Sequence, residues 1–243
     1  HAPTRGRTTA GGLQRSDRVK NANVPAWCLR SGVHASADGT HFGHATGLAR
    51  RLESAKERGV RIIVLVKEVP DTYGDRKLDL ETGLADRDAG DRVLDEIGER
   101  SVEAAVSYKE AHPDTEVVVL SVGPASVPTA LRKALAMGSD SAIHVLDEEL
   151  AGADLTLTAE VLAAAIRKAG FDLVLAGNLS TDGTSGVIPA MVAELLGVAH
   201  VTSLSSWELT ETEVAGSRAT DGGVAQVRAA LPAVVSITEA FPD

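Results

Sequence analysis

From residue 61 onward, short apolar runs alternate with longer stretches whose apolar positions recur at helical spacing. Residues 61–66 (RIIVLV) form a continuous apolar run of strand length, broken by the Pro70-Asp-Thr-Tyr-Gly74 turn residues. Residues 91–111 place Val93, Leu94, Ile97, Ala104, Ala105 and Tyr108 on one face, which predicts a helix ended by Pro113. A second buried strand is predicted at 116–122. A helix follows at 126–137, with Val127, Ala130, Leu131, Ala134 and Met137 inward and Gly138 as its stop. Residues 141–146 read as a third strand. The 153–169 stretch reads as a helix burying Leu155, Ala159, Leu162, Ala165 and Ile166.

A fourth apolar run, 171–176, leads through a polar, glycine-containing loop at 177–186. The next helix, 186–196, has Val187, Met191, Val192 and Leu195 inward, and a fifth strand is expected near 200–203. The pattern then changes. Residues 207–214 and 224–230 alternate in polarity on either side of Asp221-Gly222-Gly223, which predicts a β-hairpin, and 231–237 is a last apolar strand. Repeated strand-helix-strand units imply right-handed crossovers and a parallel sheet with helices on both faces, a Rossmann-like α/β fold of the adenine-nucleotide-binding type with a C-terminal hairpin. Ligands of such sheets bind beyond the carboxyl ends of the strands, near the switch point. That directs attention to the loops after Val66, Val122 and Ala176.

Composition agrees with this picture. Hydrophobic residues make up 44% of the chain but aromatics only 3%, so the core must be aliphatic, as in sheets covered on both sides. The net charge of -10 argues against nucleic acid as a partner. No apolar run is long enough for a membrane span, so no membrane insertion is expected. The single cysteine, Cys28, leaves no intrachain disulfide and fits a reducing cytoplasm.

Residues 1–59 differ from the rest. The first sixty positions hold ten Lys/Arg and four Asp/Glu, leaving fourteen and thirty for the remainder. With no sustained apolar period before about Thr46, this basic extension is expected to be mostly disordered, ahead of a nucleotide-binding α/β domain at 60–243. It reads as a fragment or appended remnant, as translation upstream of the true start, or as an Arg-rich targeting peptide. Leu48, Leu52 and Ala55 would form one face of a short helix at 47–58. His34, His41 and His44 read as tail histidines rather than a metal tract.

The chemistry concentrates in the 177–186 loop. It joins a buried strand to a helix, so its backbone N–H groups and the helix dipole favour an anion. Ser180, Thr181, Thr184 and Ser185 add hydroxyls, and Gly177, Gly183 and Gly186 allow close backbone approach. Asp182 would either cap the next helix or accept from a ribose hydroxyl. Two readings stay open: a nucleotide phosphate site, or a capped helix with a flexible polar loop. The loop is neither a Walker A motif nor GxGxxG. His144 and His200 read as strand histidines, Asp71, Asp75 and Asp79 as a solvated loop, and Asp86, Asp88, Asp91 and Asp95 as carboxylates around a helix start. No Ser/His/Asp or Cys/His grouping is evident, so no self-contained catalytic centre is expected.

The residues so far reached resemble the electron transfer flavoprotein β-subunit family. The resemblance rests on Val64-Leu-Val-Lys-Glu-Val-Pro-Asp71, Ser121-Val-Gly-Pro124, Lys133-Ala-Leu-Ala-Met-Gly138 with Ile143-His-Val145, the 177–186 loop, and Asp221-Gly-Gly223 with Leu231-Pro-Ala-Val-Val235. It implies an electron-carrying subunit without its own catalytic site. The expected partner is an α subunit that holds most of the FAD contacts. Acyl-CoA or other flavin dehydrogenases are implied upstream, and a membrane quinone reductase or another acceptor downstream. It also implies a structural AMP in this subunit, replaced in bifurcating relatives by a second FAD.

Carried onto this sequence, the nucleotide contacts fall at Leu65 and Val66, at Asp95, Ile97 and Gly98, and at Val122 and Gly123. The remainder lie along the loop, at Gly177, Asn178, Ser180, Thr181, Asp182, Gly183, Thr184, Ser185 and Gly186. Gly98 stands where relatives often have a polar side chain such as Asn, so a base contact is expected to be missing or supplied by backbone. Relatives continue past the last strand into a segment that wraps the α subunit. The sequence ends at Phe241-Pro-Asp243, so truncation and weaker α-subunit association are expected. The competing readings are a stand-alone adenine-nucleotide-binding module and a nucleotide-dependent ligase or hydrolase. The last is the least supported, because no phosphate-activating lysine stands near the loop in the sequence.

Overall fold

The computed structural model describes residues 59–242 except Arg76 and Asp88. The expected basic extension, the helix at 47–58 and His34, His41 and His44 lie outside the described residues.

Six strands form one parallel sheet: β1 (Arg61–Leu65), β4 (Glu116–Val122), β5 (Ser141–Val145), β6 (Leu173–Gly177), β7 (Ala199–Leu204) and β11 (Ala233–Ile237). Their spatial order is β5-β4-β1-β6-β11-β7. The chain steps outward from β1 to β4 to β5 and then returns to β6 on the other side of β1. The order therefore reverses between β1 and β6, and a crevice is expected at their carboxyl ends.

Alternate strand residues face opposite sides and fill two cores. Ile62, Val64, Val117, Val119, Leu173 and Leu175 pack with Val102 and Ala105 of α1 (Glu96–Ala111) and with Leu131 and Ala134 of α2 (Pro128–Ala136). Ile63, Leu65, Val118, Leu120 and Val174 pack with Leu162 and Ile166 of α3 (Leu155–Ala169) and Val192 of α4 (Ile188–Leu196). Helices thus cover both faces, and the β-branched and leucine-rich central strands have no polar side to present.

Three details differ from the sequence expectations. The helix expected from Asp91 begins at Glu96. Residues 92–94 instead form β3 (Arg92–Leu94), antiparallel to β2 (Glu68–Pro70), with Val93 opposite Val69. The positions of Val93 and Leu94 suit either period, and the available strand partner decides between them. Second, the C-terminal hairpin is part of a three-stranded sheet. Strand β9 (Glu213–Thr220) pairs on one side with β10 (Gly223–Ala230), around Asp221-Gly222, and on the other with β8 (Ser206–Leu209). Third, Leu155, Val187 and Leu195 are substantially exposed, while Val161, Ala163, Pro189 and Ala193 are buried. Helices α3 and α4 pack on each other as well as on the sheet, which rotates the buried stripe toward that seam.

Candidate functional site: the loops beyond β1 and β6

The 177–186 loop leaves the end of β6 and leads into α4, as its sequence implies. Asn178 N donates to Ile237 O at 2.8 Å, which holds the start of the loop against β11. The chain then turns tightly. Thr184 N donates to Ser180 O at 3.0 Å, Thr184 adopts φ 48°, and Gly186 adopts φ 67°. Gly183, Thr184, Ser185 and Gly186 are exposed, whereas Asn178, Ser180, Thr181 and Asp182 are partly buried.

Gly177 is required by packing. A Cβ there would lie 2.5 Å from Ile97 Cγ2, a separation real side chains do not tolerate. This contact presses the first turn of α1 onto the end of β6. Gly98, one residue on, lies beside Val66 with room to spare, since a Cβ would meet its nearest atoms at 3.8 Å. Leu65 and Val66, Ile97 and Gly98, and Gly177 therefore converge on one small region. Val122 ends β4 and Gly123 follows it; β4 flanks β1 on the side away from β6, so both stand one strand removed from the loop. His144 Nε2 lies 2.9 Å from Gly123 O and fixes that turn, a structural role.

Two carboxylates set the electrostatics. Asp182 is nearly buried, its side chain 8% exposed, and both oxygens hold cations: Lys67 Nζ at 2.7 Å and Arg87 at 2.8 Å. Burial pushes the Asp182 carboxyl up. Lys67, the Ser180 hydroxyl and Arg87 outweigh it and hold the group well below the usual carboxylate range. Lys67 Nζ also reaches Ser180 Oγ at 3.4 Å.

Asp95 is the reverse case. It is 1% exposed, and although it sits at the N-terminal boundary of α1 its side chain makes no cap. Its Oδ2 instead accepts from Thr181 N at 3.0 Å, and Oδ1 has no hydrogen-bond partner. Burial raises its pKa and the Asp182 charge adds to that, against the pull of the Thr181 and Ile97 N–H groups and of Lys67. Asp95 is thus a strut between α1 and the loop, unlike a solvated carboxylate at a helix start. Asp79, by contrast, accepts from Thr82 and Glu81 within its own turn, as a solvated loop residue should.

Lys67 and Arg87 belong to this cluster, and sequence reasoning missed both. No lysine neighbours the loop in the chain, but the fold brings Lys67 to it. The available signal was position: Lys67 is among the first polar residues beyond the buried β1 run, at the ligand-facing edge of the sheet. Arg87 carried no such signal, for it is 95 residues from Asp182 in an irregular segment. A further network, Glu68, Arg92 and Ser126, ties β2 and β3 to the entrance of α2, with Ser126 Oγ donating to Glu68 at 2.5 Å and Arg92 reaching Ser126 at 2.6 Å.

The result is a glycine-containing turn at a helix N-terminus, with two cations on Asp182 and the buried Asp95 carboxyl close by. Asn178 Oδ1 adds a buried acceptor without a protein partner. Such a set can hold a phosphate and accept from a hydroxyl or amine. A separate concavity of about 390 Å³, lined by Tyr108, His112, Trp207 and Phe241 among others, lies along the far half of α1 and has no such charge arrangement.

A family description of the electron transfer flavoprotein domain matches residues 82–242. The chain belongs to the electron transfer flavoprotein β-subunit family. It is 45% identical over 183 residues to the electron transfer flavoprotein subunit beta of Mycobacterium leprae (strain TN), covering 73% of this chain and 69% of the relative. It is 32% identical over 185 residues to the caffeyl-CoA reductase-Etf complex subunit CarD of Acetobacterium woodii, covering 76% and 70%. It is 31% identical over 185 residues to the electron transfer flavoprotein subunit beta of Bacillus subtilis (strain 168), covering 76% and 71%. Membership places the chain among the flavoproteins of electron transport. No helix among the described residues is long and apolar enough to cross a membrane.

Proposed function

We propose that this chain is the β subunit of a heterodimeric electron transfer flavoprotein, with AMP held at the 177–186 loop. It pairs in the cytoplasm with an α subunit that carries most of the FAD contacts. The pair takes electrons from acyl-CoA or other flavin dehydrogenases and passes them to a quinone reductase or another acceptor. The FAD supplies the redox chemistry. This chain's own residues bind and position, and it has no catalytic centre of its own.

The observation that carries the nucleotide reading is the Lys67–Asp182–Arg87 cluster at the turn between β6 and α4. Asp182 holds both cations at the loop while leaving their outer N–H groups toward solvent. The Lys67 side chain is 44% exposed and that of Arg87 38%. A phosphate would meet these donors and the loop N–H groups together. Asn178 Oδ1, a buried acceptor without a protein partner, would accept from the nucleoside part. The hydrogen bond from Thr181 N to Asp95 keeps the loop docked on α1.

The test is to purify the chain with its α partner, denature the complex, and identify the released small molecules by mass spectrometry. AMP and FAD in equal amounts are expected. FAD alone at twice the protein concentration would replace AMP with a second flavin, and no nucleotide at all would overturn the reading.

A further inference from the structure

The segment between β2 and β3 is a flap with little apolar burial of its own. Tyr73 is 97% exposed, Leu80 99%, Leu78 63% and Leu84 50%. Its internal order comes from polar contacts. Asp79 Oδ1 accepts from Thr82 N at 2.7 Å, Asp79 N donates to Leu84 O at 2.8 Å, and Asp86 N donates to Lys77 O at 2.9 Å. A segment so built lies at the low-stability end of the structure and opens easily unless something outside it holds it. Among the described residues three outside contacts stand out: Leu84 lies close to Gly152, Arg92 Nε of β3 donates to Arg87 O at 2.9 Å, and the Arg87 guanidinium donates to Asp182 at 2.8 Å.

Arg87 is therefore where the flap meets the phosphate-binding turn. We propose that Arg87 couples nucleotide occupancy of the 177–186 loop to the order of the flap, so that a bound phosphate tightens it. The inference rests on the nucleotide reading above. Both oxygens of Asp182 already hold cations, and its side chain is only 8% exposed, so an incoming anion does not displace it readily. Lys67 and Arg87 both hold Asp182, and Arg87 keeps outward donors, since a guanidinium has five N–H groups in a fixed fork. A phosphate that engages them gives Arg87 a second anion to hold. Opening the flap then breaks two charge-assisted contacts instead of one. The exposed apolar side chains of the flap are in this way presented in a more fixed arrangement when the nucleotide is bound.

The experiment is hydrogen-deuterium exchange of the full chain with and without saturating AMP, read on peptides covering residues 78–87, with AMP binding followed separately by calorimetry. AMP is expected to slow exchange there about fivefold in the wild type. In Arg87→Gln the unliganded flap is expected to exchange faster, and saturating AMP is expected to leave it unprotected. Arg87→Lys, which keeps the charge but not the fork, is expected to restore part of the protection. AMP binding without a change in flap exchange, or equal protection in Arg87→Gln, would overturn this inference alone. Absence of AMP binding in the calorimeter would overturn the nucleotide reading and this inference with it.

Discussion

The Lys67 ammonium lies 2.7 Å from Oδ1 of Asp182, across 115 residues of chain. The contact joins the end of β1 to the loop after β6 at the point where the sheet's strand order reverses. Strand pairing between β1 and β6 fixes the relative positions of the two backbones, from Ile62 opposite Leu173 to Leu65 opposite Ala176. The ion pair thus falls at the place where an α/β sheet of this order offers a ligand site.

Lys67→Met should weaken AMP binding about tenfold or more, because it removes a charge-assisted contact to phosphate and leaves Asp182 with one cation. Isothermal titration against the wild type measures this. Unchanged affinity would mean that Lys67 serves Asp182 alone.

Asp95→Asn should stabilise the protein near neutral pH by roughly 1 kcal/mol, since it removes a buried charge while Asn can still accept from Thr181 N. Folded Asp95 holds its proton more tightly than the unfolded carboxyl does. The native state therefore binds more protons between the ordinary value of 3.8 and the raised one, and this group's contribution falls as pH rises through that window. The advantage of the variant should accordingly shrink as pH drops toward 3.8. Denaturant unfolding at several pH values checks it, and a variant less stable than wild type at pH 7 would show that the Asp95 charge is needed.

Much of the fold was legible because the central strands are buried on both faces. Runs such as RIIVL and EVVVL have no other stable home than the inside of a parallel sheet. The loop was legible because glycines and hydroxyls between an apolar run and a helix have few uses. What stayed hidden depends on long-range partners. Residues 92–94 become a strand only because Glu68–Pro70 lies alongside, and Asp95 turns from helix cap to strut only because Thr181 presents its N–H. Lys67 and Arg87 read as ordinary surface cations until the chain folds.

Gly177→Ala and Gly98→Ala should act in opposite directions. The first forces a Cβ to 2.5 Å from Ile97 Cγ2 and should cost about 1–3 kcal/mol. The second adds a methyl group in ordinary contact with Val66 at 3.8 Å and gains helix propensity, which should stabilise by about 0.5–1 kcal/mol. Thermal unfolding of both variants tests whether Gly177 is kept for packing and Gly98 is not.

A crystal structure of the chain grown with AMP tests the phosphate site most directly. The account predicts the phosphate within hydrogen-bonding reach of Lys67 Nζ and the 177–186 backbone, with the adenosine over the carboxyl ends of β1 and β6. An AMP bound elsewhere, with Lys67 and Arg87 still turned only to Asp182, would contradict it.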